Sequence, residues 1–206
     1  MNYYIDFDNT LYETAKLTSL MIAAIGNKIG ELADLEKEPI IQDAKDNFNS
    51  TLDNIFTHAE KMGKKYKVDA ESVVNAVNDV LSNGNEIVFD DAVRFLERLK
   101  EKGHKIHILT YVQPINMEYQ LKKLMGSKIA NYFDGIIITS KYKFLLDIDY
   151  TNGIFIDDDP RDLNGLFEKN PIKVIRIRKS NNKRSKIDID NKEIEEFESF
   201  DDIVVE

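Results

Sequence analysis

The stretch Ile5-Asp6-Phe7-Asp8-Asn9-Thr10-Leu11 decides the fold of this chain. Residues 2 to 7 predict a short buried strand, and Thr10 begins a helical pattern. Asp6 and Asp8 therefore fall at and just beyond the carboxyl end of the strand. Burying a charge is costly unless a cation or hydrogen bonds compensate it, so the two carboxylates indicate a metal ion. The alternative is a surface acid followed by a turn and a helix cap, because Asp, Asn and Thr are common cap residues.

The composition limits the possible partners. The chain has 206 residues, 42% of them hydrophobic and 32% charged, which is typical of a globular protein with one domain or a core domain plus an insertion. Its formal charge of -9 argues against nucleic-acid polymers and anionic membranes as partners, but suits a cation-dependent site. Without cysteine, disulfides and thiol chemistry are excluded. No signal peptide and no apolar run of about 20 residues is found, so we expect a cytoplasmic protein.

Only helical patterns follow the first strand. Apolar residues recur at helical spacing from Thr10 to about Ala33, and further helical patterns cover roughly 40–48, 51–62 and 69–82. No strand pattern interrupts them. We therefore expect residues 14–85 to form an all-helical subdomain inserted after the first strand.

From residue 86 onward, predicted helices and strands alternate. This alternation predicts an α/β fold, a Rossmann-like parallel sheet with helices on both faces, formed by residues 1–13 and 86–206. The predicted elements are a helix at 90–102, a strand at 104–109, a helix at 114–124, a strand at 134–139, a short helix from about 140, a strand at 153–156, a helix at 161–168, a last strand at 173–177 and a mobile polar loop at 179–186.

Chemically useful side chains follow the predicted strands. Parallel sheets bind ligands at the carboxyl ends of their strands, so we expect these side chains to share one crevice. They are Asp6, Asp8, Thr110, the lysines after Thr139, Asp157 and Asp158.

This set of residue types suits phosphoryl transfer, in which catalysis is mostly positioning and electrostatic stabilisation. A Mg²⁺ ion held by Asp6 and the late acids would offset the repulsion between carboxylates and phosphate, while Thr110 and a lysine would bind the phosphoryl group. An aspartate can also act as the nucleophile and form an aspartyl-phosphate. Asp8 could then protonate the leaving oxygen and activate the hydrolytic water.

Four segments resemble the signatures of the haloacid dehalogenase-like hydrolase superfamily. Asp6 to Leu11 resembles the first signature, DxDxT followed by an apolar residue, and Ile106 to Thr110 resembles the second, a hydrophobic strand ending in Thr or Ser. The third is a lysine, and the fourth is an apolar strand ending in paired acids, here Ile154 to Asp158. The resemblance covers about residues 1–13 and 86–178, and the helical insertion matches a cap of this superfamily by placement alone.

The resemblance implies a role for each matching residue. Asp8 is similar to the acid of the phosphatase branch, because the dehalogenases of the superfamily lack an acid at that place. The implied roles are Asp6 as nucleophile and magnesium ligand, Asp8 as general acid/base with its carbonyl on the metal, Thr110 as phosphate ligand, Asp158 as magnesium ligand with Asp157 beside it, and Asp162 as a supporting residue.

The lysine is matched least closely. Lys141 and Lys143 both follow the strand ending at Thr139, and Lys122 and Lys123 lie on an earlier predicted helix. We favour Lys143, because Phe144-Leu145-Leu146 would then continue as a helix beneath the site, but Lys141 remains open.

Substrate contacts are less defined. Tyr111 and Gln113, next to Thr110, are expected to touch the substrate, whereas the cap aromatics fit a bundle core better. The cap candidates are Phe48, Phe56, His58 and Tyr66, with a basic run at Lys61, Lys64, Lys65 and Lys67.

The sequence therefore predicts a magnesium-dependent phosphatase acting on a small phosphorylated metabolite. The compact string Ile156 to Pro160 is similar to small nucleotidase-like members, which makes a nucleotide monophosphate one candidate substrate. Two non-enzymatic alternatives remain: a receiver-type switch phosphorylated on aspartate, and a catalytically silent protein that keeps the fold and binds a phosphorylated ligand. A receiver domain, however, has no large insertion after its first strand.

Overall fold

The computed structural model describes residues 1–30, 55–169, 172–180 and 183–205. The predicted helix at 40–48, the start of the helix at 51–62, the candidate Phe48 and the side chain of His58 lie outside the described part of the chain. Two compact units are present. The first comprises Met1–Glu13, Val88–Tyr111 and Lys128–Glu206, and the second comprises Thr14–Ile87 and Val112–Ser127.

A six-stranded sheet forms the first unit, and every pair of neighbouring strands in it is parallel. The predicted α/β, Rossmann-like fold class is confirmed. The strand order is β3-β2-β1-β4-β5-β6. The strands are β1 at Asn2–Ile5, β2 at Lys105–Tyr111, β3 at Gly135–Thr139, β4 at Gly153–Asp157, β5 at Lys173–Ile177 and β6 at Glu195–Phe197.

The helices within the described ranges follow the predicted periodicity closely. They are α1 at Thr14–Ile29, α2 at Ile55–Tyr66, α3 at Ala70–Ser82, α4 at Asp90–Glu101, α5 at Met117–Met125 and α6 at Pro160–Lys169. Among them, no helix combines the length and the apolar character needed to cross a membrane. One assignment differs from the expected domains, because α5, predicted within the core domain, groups with α1, α2 and α3 in the second unit.

Two local predictions are wrong. The sheet does not end at β5, because residues 195–197 add a sixth strand, β6. This strand pairs with β5 through main-chain hydrogen bonds, which the side-chain pattern of the sequence does not reveal. The short helix expected from about 140 is only a 3₁₀ turn at Lys143–Leu145. The 3₁₀ turn ends at Leu146, whose backbone is extended. The chain then enters a stretch of turn-forming residues, in which Asn152 has a positive φ of 57°.

The end of α4 shows how the sequence sets the start of β2. Gly103 has a φ of +73°, and its N–H donates to the carbonyl of Lys100 while the N–H of His104 donates to that of Leu99. These two bonds form a Schellman motif, which satisfies the last carbonyls of the helix. The chain can then turn directly into the strand that carries Thr110.

Candidate active site

The register of the sheet places Asp6 beside Asp157. Ile5 of β1 pairs with Ile156 of β4, and the N–H of Asp6 donates to the carbonyl of Ile156 at 2.9 Å. Asp6 and Asp157 are therefore at the same level at the carboxyl ends of neighbouring strands. Both side chains are buried, so each needs a compensating partner.

Lys143 is that partner. Its Nζ lies 2.5 Å from Oδ1 of Asp6 and 2.6 Å from Oδ2 of Asp157, and the lysine is 2% exposed. Lys141, the other lysine considered after β3, is exposed. Of these two lysines, Lys143 is therefore the one that the structure brings to the acids.

A tight turn after β1 holds the other side of Asp6. The N–H groups of Leu11 and Tyr12 both donate to the carbonyl of Phe7, and Asn9 takes a positive φ of 60°, which Asn tolerates better than most residues. The turn brings Thr10 back, so that its Oγ1 donates to Oδ2 of Asp6 at 3.1 Å. Each carboxylate oxygen of Asp6 thus has a donor.

Asp8 lies in the same turn with a different environment. It is half-buried, whereas Asp6 is buried. A bridge between Asp8 and Tyr12 fixes its backbone. Two carboxylates two residues apart can therefore perform different tasks.

Burial controls the protonation of this cluster. The pKa of Asp6 is raised well above its ordinary value by burial, and the charges of Asp157 and Asp158 raise it further, while Lys143 opposes them. Burial lowers the pKa of Lys143, but the charges of Asp157 and Asp6 outweigh burial and raise it overall. The acids therefore favour the charged form of Lys143.

Asp162 supports Lys143 from α6. Its Oδ1 accepts the backbone N–H of Lys143 at 2.7 Å, which fixes the start of the 3₁₀ turn. Burial and the charge of Asp157 raise the pKa of Asp162 to about 6, against the effect of Lys143. The supporting position expected for Asp162 therefore corresponds to a direct contact with the main chain of the lysine.

Three acids could hold a metal ion together. One carboxylate oxygen from each of Asp6, Asp157 and Asp158 can be chosen so that all three lie within 4.8 Å of one another. Carboxylate oxygens are the kind of ligand that Mg²⁺ prefers. The donor set therefore suits a hard divalent cation.

The remaining predicted residues divide between the two units. Thr110 is buried at the end of β2, and the ring of Tyr111 stacks on that of Tyr142, with centroids 6.0 Å apart. Gln113, Phe56, Tyr66, the basic run and the helix bearing Lys122 and Lys123 belong to the second unit.

Arg184 was not predicted as a site residue. Its Nη1 lies 3.5 Å from Oδ1 of Asp158 and 3.3 Å from Oδ2 of Asp159. Asp159 is also paired with Arg161 at 2.7 Å. In the sequence, Arg184 stands in a polar, lysine-rich stretch, and no spacing signal connects it to the acids 25 and 26 positions earlier.

The comparisons with known proteins agree with this architecture. The family model described as haloacid dehalogenase-like hydrolase matches residues 4–144, which is more than half of the chain. Among curated proteins, none matches significantly.

Solved structures share the fold at low sequence identity. A haloacid dehalogenase-like hydrolase from Burkholderia xenovorans LB400 has a TM-score of 0.70 at 13% identity, covering 98% of this chain and 93% of that one. The HAD-hydrolase YfnB from Bacillus subtilis, bound to magnesium, has a TM-score of 0.59 at 14% identity, with coverages of 97% and 95%. A HAD phosphatase from Thermococcus onnurineus has a TM-score of 0.54 at 17% identity, with coverages of 97% and 94%. Dehalogenases are also among the similar structures. The chain belongs to the haloacid dehalogenase-like hydrolases.

Proposed function

We propose that this hydrolase is a magnesium-dependent phosphatase acting on a small phosphorylated metabolite, with a nucleotide monophosphate as one candidate. The observation that carries the proposal is the second carboxylate, Asp8, in the turn that also holds Asp6. Cleavage of a phosphate ester leaves an alkoxide, which must be protonated as it departs. A halide leaves as a stable anion and needs no acid, so Asp8 favours a phosphatase over a dehalogenase.

Asp6 is the proposed nucleophile. Thr10 and Lys143 each hold one of its carboxylate oxygens, so that the attacking lone pair has a fixed direction. A carboxylate oxygen of Asp6 forms a bond to phosphorus while the bond to the leaving oxygen breaks. The product is an aspartyl-phosphate, and splitting one difficult step into two easier ones is the usual benefit of covalent catalysis.

Asp8 is the proposed acid and base. In the first step its proton passes to the leaving oxygen. The Asp8 carboxylate then takes a proton from the water that attacks the aspartyl-phosphate, which returns Asp6 to its starting state. Lys143 and Thr110 are the proposed binding partners of the phosphoryl oxygens, and Tyr111 is a proposed substrate contact at the end of β2.

Asp6, Asp158 and the main-chain carbonyl of Asp8 are the proposed magnesium ligands. Asp157 lies beside them, and its Oδ1 accepts the N–H of Asp159 at 2.9 Å while its Oδ2 binds Lys143. When bound, magnesium supplies positive charge that offsets the repulsion between the carboxylates and a phosphate dianion.

A substrate panel tests the proposal. The purified protein is assayed for phosphate release from nucleotide monophosphates, sugar phosphates and p-nitrophenyl phosphate, and for halide release from 2-haloacids, with Mg²⁺ and with EDTA. We expect magnesium-dependent phosphate release and no halide release. Asp6→Asn should lower the rate by about a thousandfold or more while the circular dichroism spectrum stays unchanged. Halide release by the wild type, or full activity in EDTA, would contradict the proposal.

The leaving group tests the role of Asp8. p-Nitrophenolate is a stable anion that leaves without protonation, whereas the alkoxide of a sugar phosphate needs an acid. Asp8→Asn should therefore lose much more activity on alkyl phosphates than on p-nitrophenyl phosphate, judged from the release of the alcohol or of p-nitrophenol in the first turnover, which precedes hydrolysis of the aspartyl-phosphate. An equal loss on both substrates would argue against Asp8 as the general acid.

A further inference from the structure

A short strap, residues 183–188, carries Arg184 to the acidic cluster. Two buried or half-buried arginines of β5 and its extension hold the strap by its main chain. Nη2 of Arg176 donates to the carbonyls of Arg184 and Ile187, both at 2.7 Å, and Nε of Arg178 donates to the carbonyl of Ser185 at 2.5 Å. These contacts fix the backbone of the strap rather than its side chains.

Arg176 is an unusual anchor, because it is fully buried in the sheet. Its Nη1 pairs with Glu196 of β6 at 2.8 Å, and its Nη2 holds the two strap carbonyls. Burying a guanidinium is costly unless its donors find acceptors. The strap and β6 supply acceptors for Nη1 and Nη2, although the buried Nε has no partner among the described residues. The position of the strap is therefore coupled to the packing of β5.

The guanidinium of Arg184 lies beside the carboxylates of Asp158 and Asp159. Its contacts with Asp158 and Asp159, at 3.5 and 3.3 Å, are longer than the 2.7–2.9 Å of a strong charge-assisted hydrogen bond. Its side chain is 30% exposed, whereas that of Asp158 is 1% exposed. Arg184 is thus a partly exposed cation at ion-pair distance from a buried acid.

The charges of the cluster explain why such a cation is present. Burial lowers the pKa of Arg184, but the charges of Asp158 and Asp159 outweigh burial and raise it, so the arginine is always charged. Lys143 already compensates Asp6 and Asp157, and Arg161 already compensates Asp159. Arg184 forms an ion pair with Asp158.

We propose that Arg184 is a positioning residue that competes with the divalent ion for Asp158 and thereby weakens the binding of Mg²⁺. This inference rests on the proposed function, in which Asp158 is a magnesium ligand. Without metal, Arg184 compensates Asp158. A Mg²⁺ ion that binds Asp158 must displace Arg184 from this carboxylate. The strap keeps the Arg184 guanidinium close, so its positive charge repels the bound ion.

Isothermal titration calorimetry with Mg²⁺ alone tests the competition, at one ionic strength and on metal-free protein. We expect Arg184→Gln to bind Mg²⁺ about tenfold more tightly than the wild type, because a monovalent cation beside the ion is lost. Arg184→Lys keeps the charge and should stay within about threefold of the wild type. Arg94→Gln is the matched control, because Arg94 pairs with Asp201 outside the cluster and its removal changes the net charge equally.

Thermal unfolding provides a second measurement that does not depend on activity. In EDTA, Arg184→Gln should melt at a lower temperature than the wild type, since Asp158 loses its ion pair. Mg²⁺ should raise the melting temperature of this variant more than that of the wild type, because tighter binding stabilises the folded state more at equal concentration.

Each alternative outcome overturns the inference in a recognisable way. Unchanged or weaker Mg²⁺ binding by Arg184→Gln would overturn it and leave the proposed phosphatase function intact. Equal tightening by Arg94→Gln would show that net charge, rather than the position of Arg184, sets the affinity. No binding of Mg²⁺ to the wild type would overturn both the metal dependence of the proposed function and the competition.

Discussion

Lys143 is the residue on which the charge balance of the site depends. Two buried carboxylates, Asp6 and Asp157, face its ammonium group, and removing one partner of a buried ion pair leaves the others uncompensated. We expect Lys143→Met to lower the free energy of unfolding by about 3 kcal/mol at neutral pH, a value typical of broken buried pairs. Urea unfolding followed by circular dichroism measures this loss, and phosphate release should fall to background.

Lys141→Met is the control for this prediction. Lys141 is exposed and only two residues away, so its loss should change the free energy of unfolding by less than about 0.5 kcal/mol and leave activity nearly unchanged. If the two variants behave alike, the assignment of Lys143 as the central cation is wrong.

At the scale of residues, the acids were predictable and their counterions were only partly so. Asp6, Asp157 and Asp158 follow apolar strands, and the rule that ligands bind at the carboxyl ends of parallel strands brings them together. Lys143 was favoured but Lys141 stayed open, because the backbone after β3 is irregular and period-based reasoning does not fix side-chain direction there. Arg184 had no signal at all, since its approach depends on the main-chain contacts of a loop.

At the scale of elements, α6 and the 3₁₀ turn at Lys143–Leu145 pack through one glycine. A methyl group built on Gly165 would lie 2.5 Å from Cγ of Phe144 and 3.0 Å from its Cβ. The helical gain of Gly→Ala, about 1 kcal/mol, is therefore opposed by overpacking, which costs about 1–3 kcal/mol. Because Phe144 is bonded to Lys143, we expect Gly165→Ala to be destabilising in urea unfolding and to lower kcat/KM.

Glu168→Ala is a control in the same helix. Glu168 is exposed on α6, and Glu and Ala both favour helices, so this variant changes little in helix propensity and adds no methyl group against Phe144. It should be neutral in stability and activity. A Gly165→Ala protein as stable and active as the wild type would show that Phe144 moves aside freely.

The elements themselves were largely predictable, and the exceptions share a cause. Amphipathic periodicity predicts α3, α4 and α6, and apolar runs predict β2 to β5. β6 was missed because Glu195-Glu196-Phe197 is short and polar, and it forms by main-chain pairing to β5. The membership of α5 in the second unit was also missed, because its apolar face does not reveal which unit will cover it.

At the scale of the whole molecule, buried acids tie the stability of the protein to pH. The pKa of Asp162 is about 6 in the folded state, above its ordinary value, because of burial and the charge of Asp157. A carboxyl group whose folded pKa is raised contributes stability that is complete below its unfolded pKa of about 4 and is lost as the pH rises through about 6. Above that pH, the folded state carries the cost of a buried charge.

Asp162→Asn removes this pH dependence while its amide oxygen still accepts the N–H of Lys143. In EDTA, we expect the variant to gain stability over the wild type as the pH rises from about 4 to about 7.5, by on the order of 2 kcal/mol, because only the wild type must ionise a buried group. Urea unfolding at both pH values measures the gain. Asp147→Asn, which removes an exposed carboxylate, should show no such trend. The stability advantage of Asp162→Asn over the wild type could instead stay constant or shrink as the pH rises. That result would mean that Asp162 is ionised without cost in the folded protein.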